Sequence, residues 1–201
     1  MIEAAPSRWR PFLVTATFTG MRASELRGLI WADVDLDAGM IHVRRRADAW
    51  KKMGAPKSKA GKRDIPLAPM VVNTLRQWLE VCPKGELGLV FPNGRGNIEM
   101  LPNIFKRFWK PLQIKCGLTI ETDKKDAEGK PILDPRYNFH LLRHAAASLF
   151  IAYLGWTPKR LQTVMGHSSI NMTFDLYGHL FENKEADREA MQKIEAAITA
   201  A

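Results

Sequence analysis

The chain has 201 residues, 46% of them hydrophobic, and a formal net charge of +9 from 30 Lys and Arg against 21 Asp and Glu. A chain of this size can bury a core without disulfides, and Cys82 and Cys116 have no metal-ligand spacing, so we expect both cysteines to be reduced. No stretch approaches the roughly 18 apolar residues of a membrane span, and residues 1–10 lack an apolar signal core. These absences predict a cytoplasmic protein.

Positive charge is unevenly distributed along the chain. Between Arg44 and Arg63 lie nine basic residues and one acidic residue, whereas residues 182–201 hold five acids and three bases. Solubility alone does not require such clustering of cations. The basic stretch therefore indicates a surface that binds a polyanion.

Apolar spacing predicts a mainly helical chain with one small β region. Helices are predicted at residues 8–19, 101–117, 139–154, 158–165, 170–177 and 184–198. Two more are predicted to begin at residues 24 and 67, and the second of these ends before Pro83. Between Met40 and Leu67 we expect a hairpin or a three-stranded antiparallel sheet, with a turn near Ala60-Gly61. The charged segment 119–136 is predicted to be a long exposed loop. This order is typical of a mainly α, α+β domain without an internal boundary.

His140 and Arg143 are separated by three positions on a predicted helix. Residues with this spacing lie on one face, so both side chains point the same way. His144 follows at once, and the spacing H-x-x-x-H lacks the Glu of the zinc-protease motif H-E-x-x-H. The sequence also shows no carboxylate cluster suited to Mg²⁺. We therefore expect no metal and no other cofactor.

Arg22 follows the Gly20 turn directly and stands at the start of a short predicted helix. The helix dipole disfavours a cation at that end, whereas it favours an anion such as phosphate beside the guanidinium. An exposed, unengaged arginine is the other interpretation of this segment taken alone.

Tyr177 lies ten residues after His167, which itself follows Gly166 at a predicted helix boundary. Helix capping accounts for Gly166 and for Ser168 or Ser169, but it gives no reason for His167. A lone tyrosine is usually a half-buried packing residue. Neither residue indicates a function by itself.

Four segments together carry more information than each alone. They are T-G-M-R-A-S-E-L at 19–26, S-K-A-G-K-R-D-I-P-L at 58–67, H-L-L-R-H at 140–144 and M-G-H-S-S-I-N-M-T-F-D-L-Y-G-H at 165–179. In this order and spacing, the chain resembles the tyrosine recombinase (phage integrase) family from about Thr19 to His179. The resemblance implies the DNA breaking-rejoining fold, a helical catalytic domain with a small antiparallel sheet.

By this resemblance, Tyr177 is the nucleophile that forms a 3′-phosphotyrosine with DNA. The other implied catalytic residues are Arg22, Lys59, His140, Arg143 and His167, with Glu25 supporting Arg22. Lys57 is a rival to Lys59, which we prefer because Ala60-Gly61 follows it. We expect DNA contacts from Arg44, Arg45, Arg46, Lys57, Lys62 and Arg63. The implied partners are double-stranded DNA, in the bacterial nucleoid, and three further copies of the chain in a homotetramer on DNA.

Members of this family normally carry an N-terminal core-binding domain that clamps the other face of the DNA. Only about 18 residues precede the first motif. We therefore expect residues 1–201 to be the catalytic domain, with the core-binding domain absent. Residues 182–201 are predicted to include a helix that docks either on its own domain or on a neighbouring protomer.

Two other functions share features with the proposed recombination. A type IB topoisomerase uses similar site chemistry but relaxes one strand and needs no second site. A prophage-derived DNA-binding module without catalytic activity is the third possibility. The motif G-H-S-S-I favours a recombinase over a topoisomerase. The full set of candidate catalytic residues argues against a non-catalytic DNA-binding module.

Overall fold

Residues 1–182 and 184–199 are the part of the chain that this computed structural model describes, and they include nine α-helices and seven short strands. The helices are α1 Arg10–Thr19, α2 Ala23–Arg27, α3 Pro69–Val81, α4 Leu101–Ile104, α5 Lys110–Lys115, α6 Leu141–Leu154, α7 Pro158–Met165, α8 Ile170–Tyr177 and α9 Lys184–Thr199. The strands are β1 Val34–Asp35, β2 Met40–Val43, β3 Arg46–Ala47, β4 Met53–Gly54, β5 Arg63–Pro66, β6 Thr119–Lys125 and β7 Pro131–Pro135. The predicted mainly helical α+β fold is confirmed.

Helix α1 lies at the centre of the hydrophobic core and packs against α3 and α6. Its residues from Pro11 to Ala16 are all buried, so every face of the helix contacts protein. Phe12 meets the rings of Phe91 and Phe108 edge-to-face, with ring centroids 5.3 and 6.5 Å apart. This packing fixes the position of Gly20, where the helix ends.

Two glycines bring three segments together at one end of the core. Gly20 ends α1 with φ 61°, and a Cβ there would lie 2.9 Å from the Met165 sulfur at the end of α7. Gly166 ends α7 with φ 65°, and a Cβ there would lie 2.9 Å from the Ala60 carbonyl oxygen. Any other residue would be strained by its left-handed φ and by these contacts. The end of α1 therefore lies against the end of α7, which in turn lies against the turn at residues 59–61.

A three-stranded antiparallel sheet in the order β1-β2-β5 lies beside the core. Ile41 pairs with Ile65, and both side chains are buried. The prediction that all three strands lie within Met40–Leu67 is wrong, because the third strand is β1, which precedes this range. The basic stretch instead forms a separate hairpin, β3-β4, in which the Asp48 carboxylate accepts hydrogen bonds from two backbone amides of the 48–52 turn.

Residues 119–136 form a hairpin, β6-β7, so the prediction of a long loop in this segment is wrong. The strands pair antiparallel from Thr119 with Pro135 to Lys125 with Pro131. Asp126 accepts hydrogen bonds from the backbone amides of Glu128 and Lys130, and Gly129 closes the turn at φ 79°. Most side chains on both faces are exposed, so the segment has no hydrophobic alternation from which a strand could be predicted.

Helix α9 presents an exposed apolar stripe. Met191, Ile194 and Ile198 are 66%, 52% and 70% exposed. The prediction that residues 182–201 contain a helix is confirmed for Lys184–Thr199, while residues 183, 200 and 201 lie outside the described residues. Among the described helices, none is long and apolar enough to cross a membrane.

Candidate active site

The end of α7 binds three arginine side chains through three consecutive carbonyl groups. The oxygens of Val164, Met165 and Gly166 accept hydrogen bonds from Arg63, Arg143 and Arg22 at 2.5, 2.5 and 3.1 Å, respectively. The last carbonyls of a helix have no partner within the helix and carry partial negative charge. The α7 terminus therefore favours cations, and it holds three guanidinium groups close together.

Glu25 links two of these arginines through its carboxylate. Its carboxylate accepts hydrogen bonds from Arg22 NH1 at 2.9 Å and from both terminal nitrogens of Arg63 at 3.1 and 3.0 Å. Burial by itself would raise the pKa of Glu25, but the hydrogen bonds and charges of Arg63 and Arg22 outweigh it and lower the pKa. Glu25 is therefore an anion at neutral pH and lies beside Arg22, as its predicted supporting role requires.

Arg63 is not a surface residue, which corrects the prediction that it contacts DNA. Its side chain is 2% exposed, and its donors are engaged by Glu25, Val164 and Gly61. A DNA backbone cannot reach this guanidinium while these contacts exist. Its place in the basic stretch predicts an exposed cation, but alternation along β5 turns the side chain inward.

The other residues predicted to contact DNA are at least partly accessible. Arg44 and Arg45 are each 38% exposed and pair with Asp64 and Asp33 at 2.6 and 2.9 Å. Lys57 and Lys62 are exposed. Arg46 and Lys57 line a cavity of about 360 Å³ together with Arg22. Within the described residues, the buried Arg46 Nε has no hydrogen-bond partner.

Arg143 joins the ends of α1 and α7. Besides Met165 it donates a 2.6 Å hydrogen bond to the carbonyl of Gly20, and it is 4% exposed. Burial, together with repulsion from Arg22 and Arg63, lowers its pKa to about 9, so the guanidinium remains charged at neutral pH. A guanidinium has five N–H donors, so these two contacts leave others for a bound anion.

His140 precedes the first residue of α6 and is exposed at the surface. It lines a cavity of about 340 Å³ together with Arg143. Partial burial and repulsion from Arg143, His144 and Arg22 lower its pKa. The structure thus brings together the two members of the H-x-x-R pair.

His167 follows the α7 cap and is 2% exposed. Its Nδ1 lies 2.9 Å from the Thr173 hydroxyl, and its ring is nearly parallel to that of Tyr177, with centroids 6.2 Å apart. Burial first, then the charges of Arg143 and Arg22, lowers its pKa to about 4. The imidazole is therefore neutral at pH 7 and can act as a neutral hydrogen-bond donor.

Tyr177 is the last residue of α8 and is 3% exposed. Its hydroxyl oxygen lies 2.9 Å from Nδ1 of His144. Burial raises its pKa, and the nearby charge of Arg143 offsets part of this rise. Metal binding is the one role that the sequence suggested for His144, so this contact was missed. Its position four residues after His140, on the same helix face, was the available signal.

The two candidate lysines lie next to the arginines on a separate segment. Lys59 begins a single 3₁₀ turn, Lys59–Gly61, which packs against Gly166. Lys57 is two residues earlier and lines the same cavity as Arg22, whereas Lys59 does not. Both lysines are exposed. The geometry accommodates either lysine near the arginines, and their roles stay a prediction.

A resident metal has no evident protein ligands here. Within residues 1–182 and 184–199, no group of three or more His, Cys, Asp or Glu side chains is arranged to hold an ion. The cations of this site are instead arginine side chains.

Known proteins share both the sequence pattern and the fold. The family model of the phage integrase family matches residues 2–184. The chain is 27% identical over 187 residues to the transposase from transposon Tn916 of Enterococcus faecalis, covering 87% of this chain and 43% of that protein. It is 26% identical over 162 residues to tyrosine recombinase XerC of Xylella fastidiosa, covering 81% of this chain and 45% of that protein. The chain thus spans about half the length of these relatives.

Solved structures of known recombinases share the fold of this chain. The Tn1549 transposon integrase, in complex with circular intermediate DNA, superposes with a TM-score of 0.70 and 25% identity over 93% of this chain and 60% of that one. The XerA recombinase has the same fold, with a TM-score of 0.64 over 96% of this chain and 58% of that one. By its family match, its fold and the segments that carry the candidate site, the chain belongs to the phage integrase family.

Proposed function

We propose that this chain cleaves and rejoins DNA strands in site-specific recombination, through a 3′-phosphotyrosine at Tyr177. One observation carries the proposal: Arg22 and Arg143 bind adjacent carbonyls at the end of α7, and His167, which directly follows that end, stacks on the ring of Tyr177 with centroids 6.2 Å apart. A nucleophile and two fixed cations around one point suit attack on a phosphodiester. DNA in a bacterial nucleoid is the corresponding substrate.

The arginines stabilise the charge that develops during the reaction. Attack by the Tyr177 oxygen on phosphorus gives a pentavalent phosphorane with more negative charge than the diester. Arg22 and Arg143 present planar donors that suit its oxygens, and their own contacts hold them in place before DNA binds. Arg63 does not touch DNA in this scheme; it holds Glu25, which in turn orients Arg22. His140 and neutral His167 supply further hydrogen-bond donors.

The leaving 5′ oxygen needs a proton, and a lysine is a reasonable donor. Lys59 remains our candidate for this general acid. Lys57 stays a rival, and its place in the cavity beside Arg22 supports it. The bond energy retained in the phosphotyrosine allows a second 5′-hydroxyl to reseal the strand without a nucleotide cofactor.

Recombination is favoured over the two other functions. The named relatives are a transposase and a recombinase, which supports strand exchange rather than relaxation of one strand. A non-catalytic module would have no need of Arg22, Arg143, His167 and Tyr177 grouped around one helix end. Supercoil relaxation without exchange between two sites would favour the topoisomerase instead.

A homotetramer on DNA is part of the proposal, since exchange between two duplexes requires four strand cuts. The apolar stripe of α9 supports it, because Met191, Ile194 and Ile198 are exposed to solvent in one protomer. A second copy of the chain is the occupant we propose for this stripe. Sedimentation with and without DNA tests assembly, and a Met191→Glu, Ile194→Glu double variant should then assemble poorly.

Covalent trapping tests the function directly. We suggest a pool of nicked duplexes, randomised on both sides of the nick, so that a short 5′-hydroxyl fragment diffuses away after cleavage and traps the adduct. Wild type should give a detergent-resistant adduct, and Tyr177→Phe should bind the pool equally but give none. Adduct on the Phe variant would identify another nucleophile. Loss of adduct with EDTA would point to a metal, against our expectation.

A further inference from the structure

The Tyr177 hydroxyl has a histidine partner that the recombination scheme does not use. Nδ1 of His144 lies 2.9 Å from the phenol oxygen, and the two ring centroids are 5.8 Å apart. His144 is half-buried on α6, one residue after Arg143. An imidazole nitrogen at this distance either accepts the phenol proton or donates to the phenol oxygen, depending on the tautomer.

Tyr177 needs a proton acceptor more than an exposed tyrosine does. A free phenol has a pKa of about 10, and only its anion is an effective nucleophile toward phosphorus. Burial raises the pKa of Tyr177 further, and Arg143 offsets only part of this rise. A base in hydrogen-bond contact removes the need for free phenolate to accumulate before attack.

The other histidines of the site are less well placed for this task. His167 has Nδ1 engaged by the Thr173 hydroxyl, and its ring lies nearly parallel to the Tyr177 ring, with centroids 6.2 Å apart. The His140 ring packs edge-to-face on the His144 ring, with centroids 5.0 Å apart, and of these two rings it is His144 that has a nitrogen in hydrogen-bond contact with the hydroxyl. The Arg143 nitrogens are donors only.

We propose that His144 is the general base for Tyr177, an inference that rests on the proposed function. In cleavage the O–H bond of Tyr177 breaks and its proton passes to Nδ1 of His144, while the phenol oxygen bonds to phosphorus. The P–O5′ bond breaks, and the 5′ oxygen takes a proton from the lysine general acid. In resealing, the 5′-hydroxyl returns its proton to the lysine, and the departing phenol oxygen regains its own from His144.

A matched variant separates proton transfer from positioning. In His144→Asn, the amide oxygen can stand near the place of Nδ1 and accept the hydrogen bond, but it cannot take the proton. Single-turnover adduct formation on the nicked pool should fall about 100-fold or more, as for other lost general bases. Replacing Tyr177 with 3,5-difluorotyrosine lowers the phenol pKa, so it should restore about 10-fold or more of the rate in His144→Asn.

The outcomes distinguish the two roles. If His144→Asn reacts at the wild-type rate, His144 only positions the hydroxyl and the proposal is wrong. If the rate falls equally with tyrosine and difluorotyrosine, the defect is structural, and the proposal is again wrong. If wild type gives no adduct beyond that of Tyr177→Phe, the proposed function fails, and the role of His144 fails with it.

A measurement without DNA tests the contact independently. Nitrogen-15 NMR of the ring nitrogens should show His144, identified by its absence in His144→Asn, with an unprotonated Nδ1 and a protonated Nε2. A proton on Nδ1 would mean that His144 donates to Tyr177, which excludes it as the base whether or not DNA is cleaved.

Discussion

Two groups of basic residues illustrate two uses of the same charge. Arg63 and Arg143 are buried at the end of α7, where carbonyl oxygens fix both side chains and Glu25 also binds Arg63. In the β3-β4 hairpin, Trp50 is 86% exposed at the tip, and Lys51 and Lys52 beside it are also exposed. The buried cations have defined protein partners, whereas the exposed ones are surrounded by solvent.

The comparison shows which cations have side-chain positions fixed by protein partners and which contribute only their charge. A buried ion pair is costly to break, because removing one partner leaves the other charge desolvated and unpaired. An exposed lysine contributes little to folding but attracts a polyanion over about 10 Å at ordinary salt. We therefore expect the two groups to differ in stability, in chemistry and in salt dependence.

The largest effect should follow from loss of Arg63. Arg63→Met leaves Glu25 buried with Arg22 as its remaining charged partner, and we expect the free energy of unfolding to fall by about 3–5 kcal/mol. Urea denaturation measures this. The neighbouring exposed residue gives the control, since Lys62→Met should change stability by about 0.5 kcal/mol or less. Equal destabilisation of the two variants would contradict the distinction between buried and exposed cations.

Arg143→Ala should affect chemistry more than DNA binding. Loss of a donor to the developing charge should cost on the order of 3 kcal/mol or more of transition-state stabilisation, seen as slower adduct formation. Affinity for the nicked pool should change little, since that affinity comes mainly from exposed cations. Arg95→Ala, at an exposed position, is the control, and circular dichroism verifies that both variants are folded. A large loss of affinity with unchanged chemistry would contradict the assignment.

The two lysines of the 57–61 segment can be told apart by the leaving group. A 5′-phosphorothiolate leaves without a proton, so the variant that lacks the general acid should recover on this substrate. We expect Lys59→Ala to slow cleavage of ordinary DNA about 100-fold and cleavage of the phosphorothiolate substrate much less. Recovery in Lys57→Ala instead would transfer the role to Lys57, the lysine that lines the cavity beside Arg22.

The smallest effect is expected at the β3-β4 tip. Lys51→Ala with Lys52→Ala should leave unfolding and adduct chemistry unchanged at saturating DNA. The slope of log affinity against log salt should fall by about 0.9 for each phosphate that the variant no longer neutralises. Lys124→Ala with Lys125→Ala, on the β6-β7 hairpin, gives a comparison of equal charge. A larger decrease there would identify that hairpin as the main DNA-binding surface.

Much of the fold could be predicted from sequence because helix signals are local. Apolar spacing and glycine caps located α1, α6 and α7 to within about two residues. The β6-β7 hairpin could not be predicted, since its strands are exposed on both faces and its turn depends on the Asp126 side chain. β1 has only two residues, too few for a periodic pattern.

The site was predicted as a set of residue types, whereas its contacts depend on tertiary structure. Arg22, Arg143, His167 and Tyr177 could be named from motifs, but the carbonyl oxygens that hold the arginines cannot be identified from a sequence. Arg63 shows the same limit, because its basic neighbours gave no sign that it is buried. The contact of His144 was missed because its spacing from His140 indicates only a shared helix face, whereas a hydrogen bond between α6 and α8 depends on tertiary structure.

The three carbonyls at the end of α7 have a further consequence for mutational energetics. Since Arg22, Arg63 and Arg143 share one helix terminus, any shift of that terminus changes the position of all three guanidinium groups. Free energies of substitution within this set should therefore not add. Double-mutant cycles should give coupling energies of about 0.5–3 kcal/mol between arginines that share this terminus without any hydrogen bond between them.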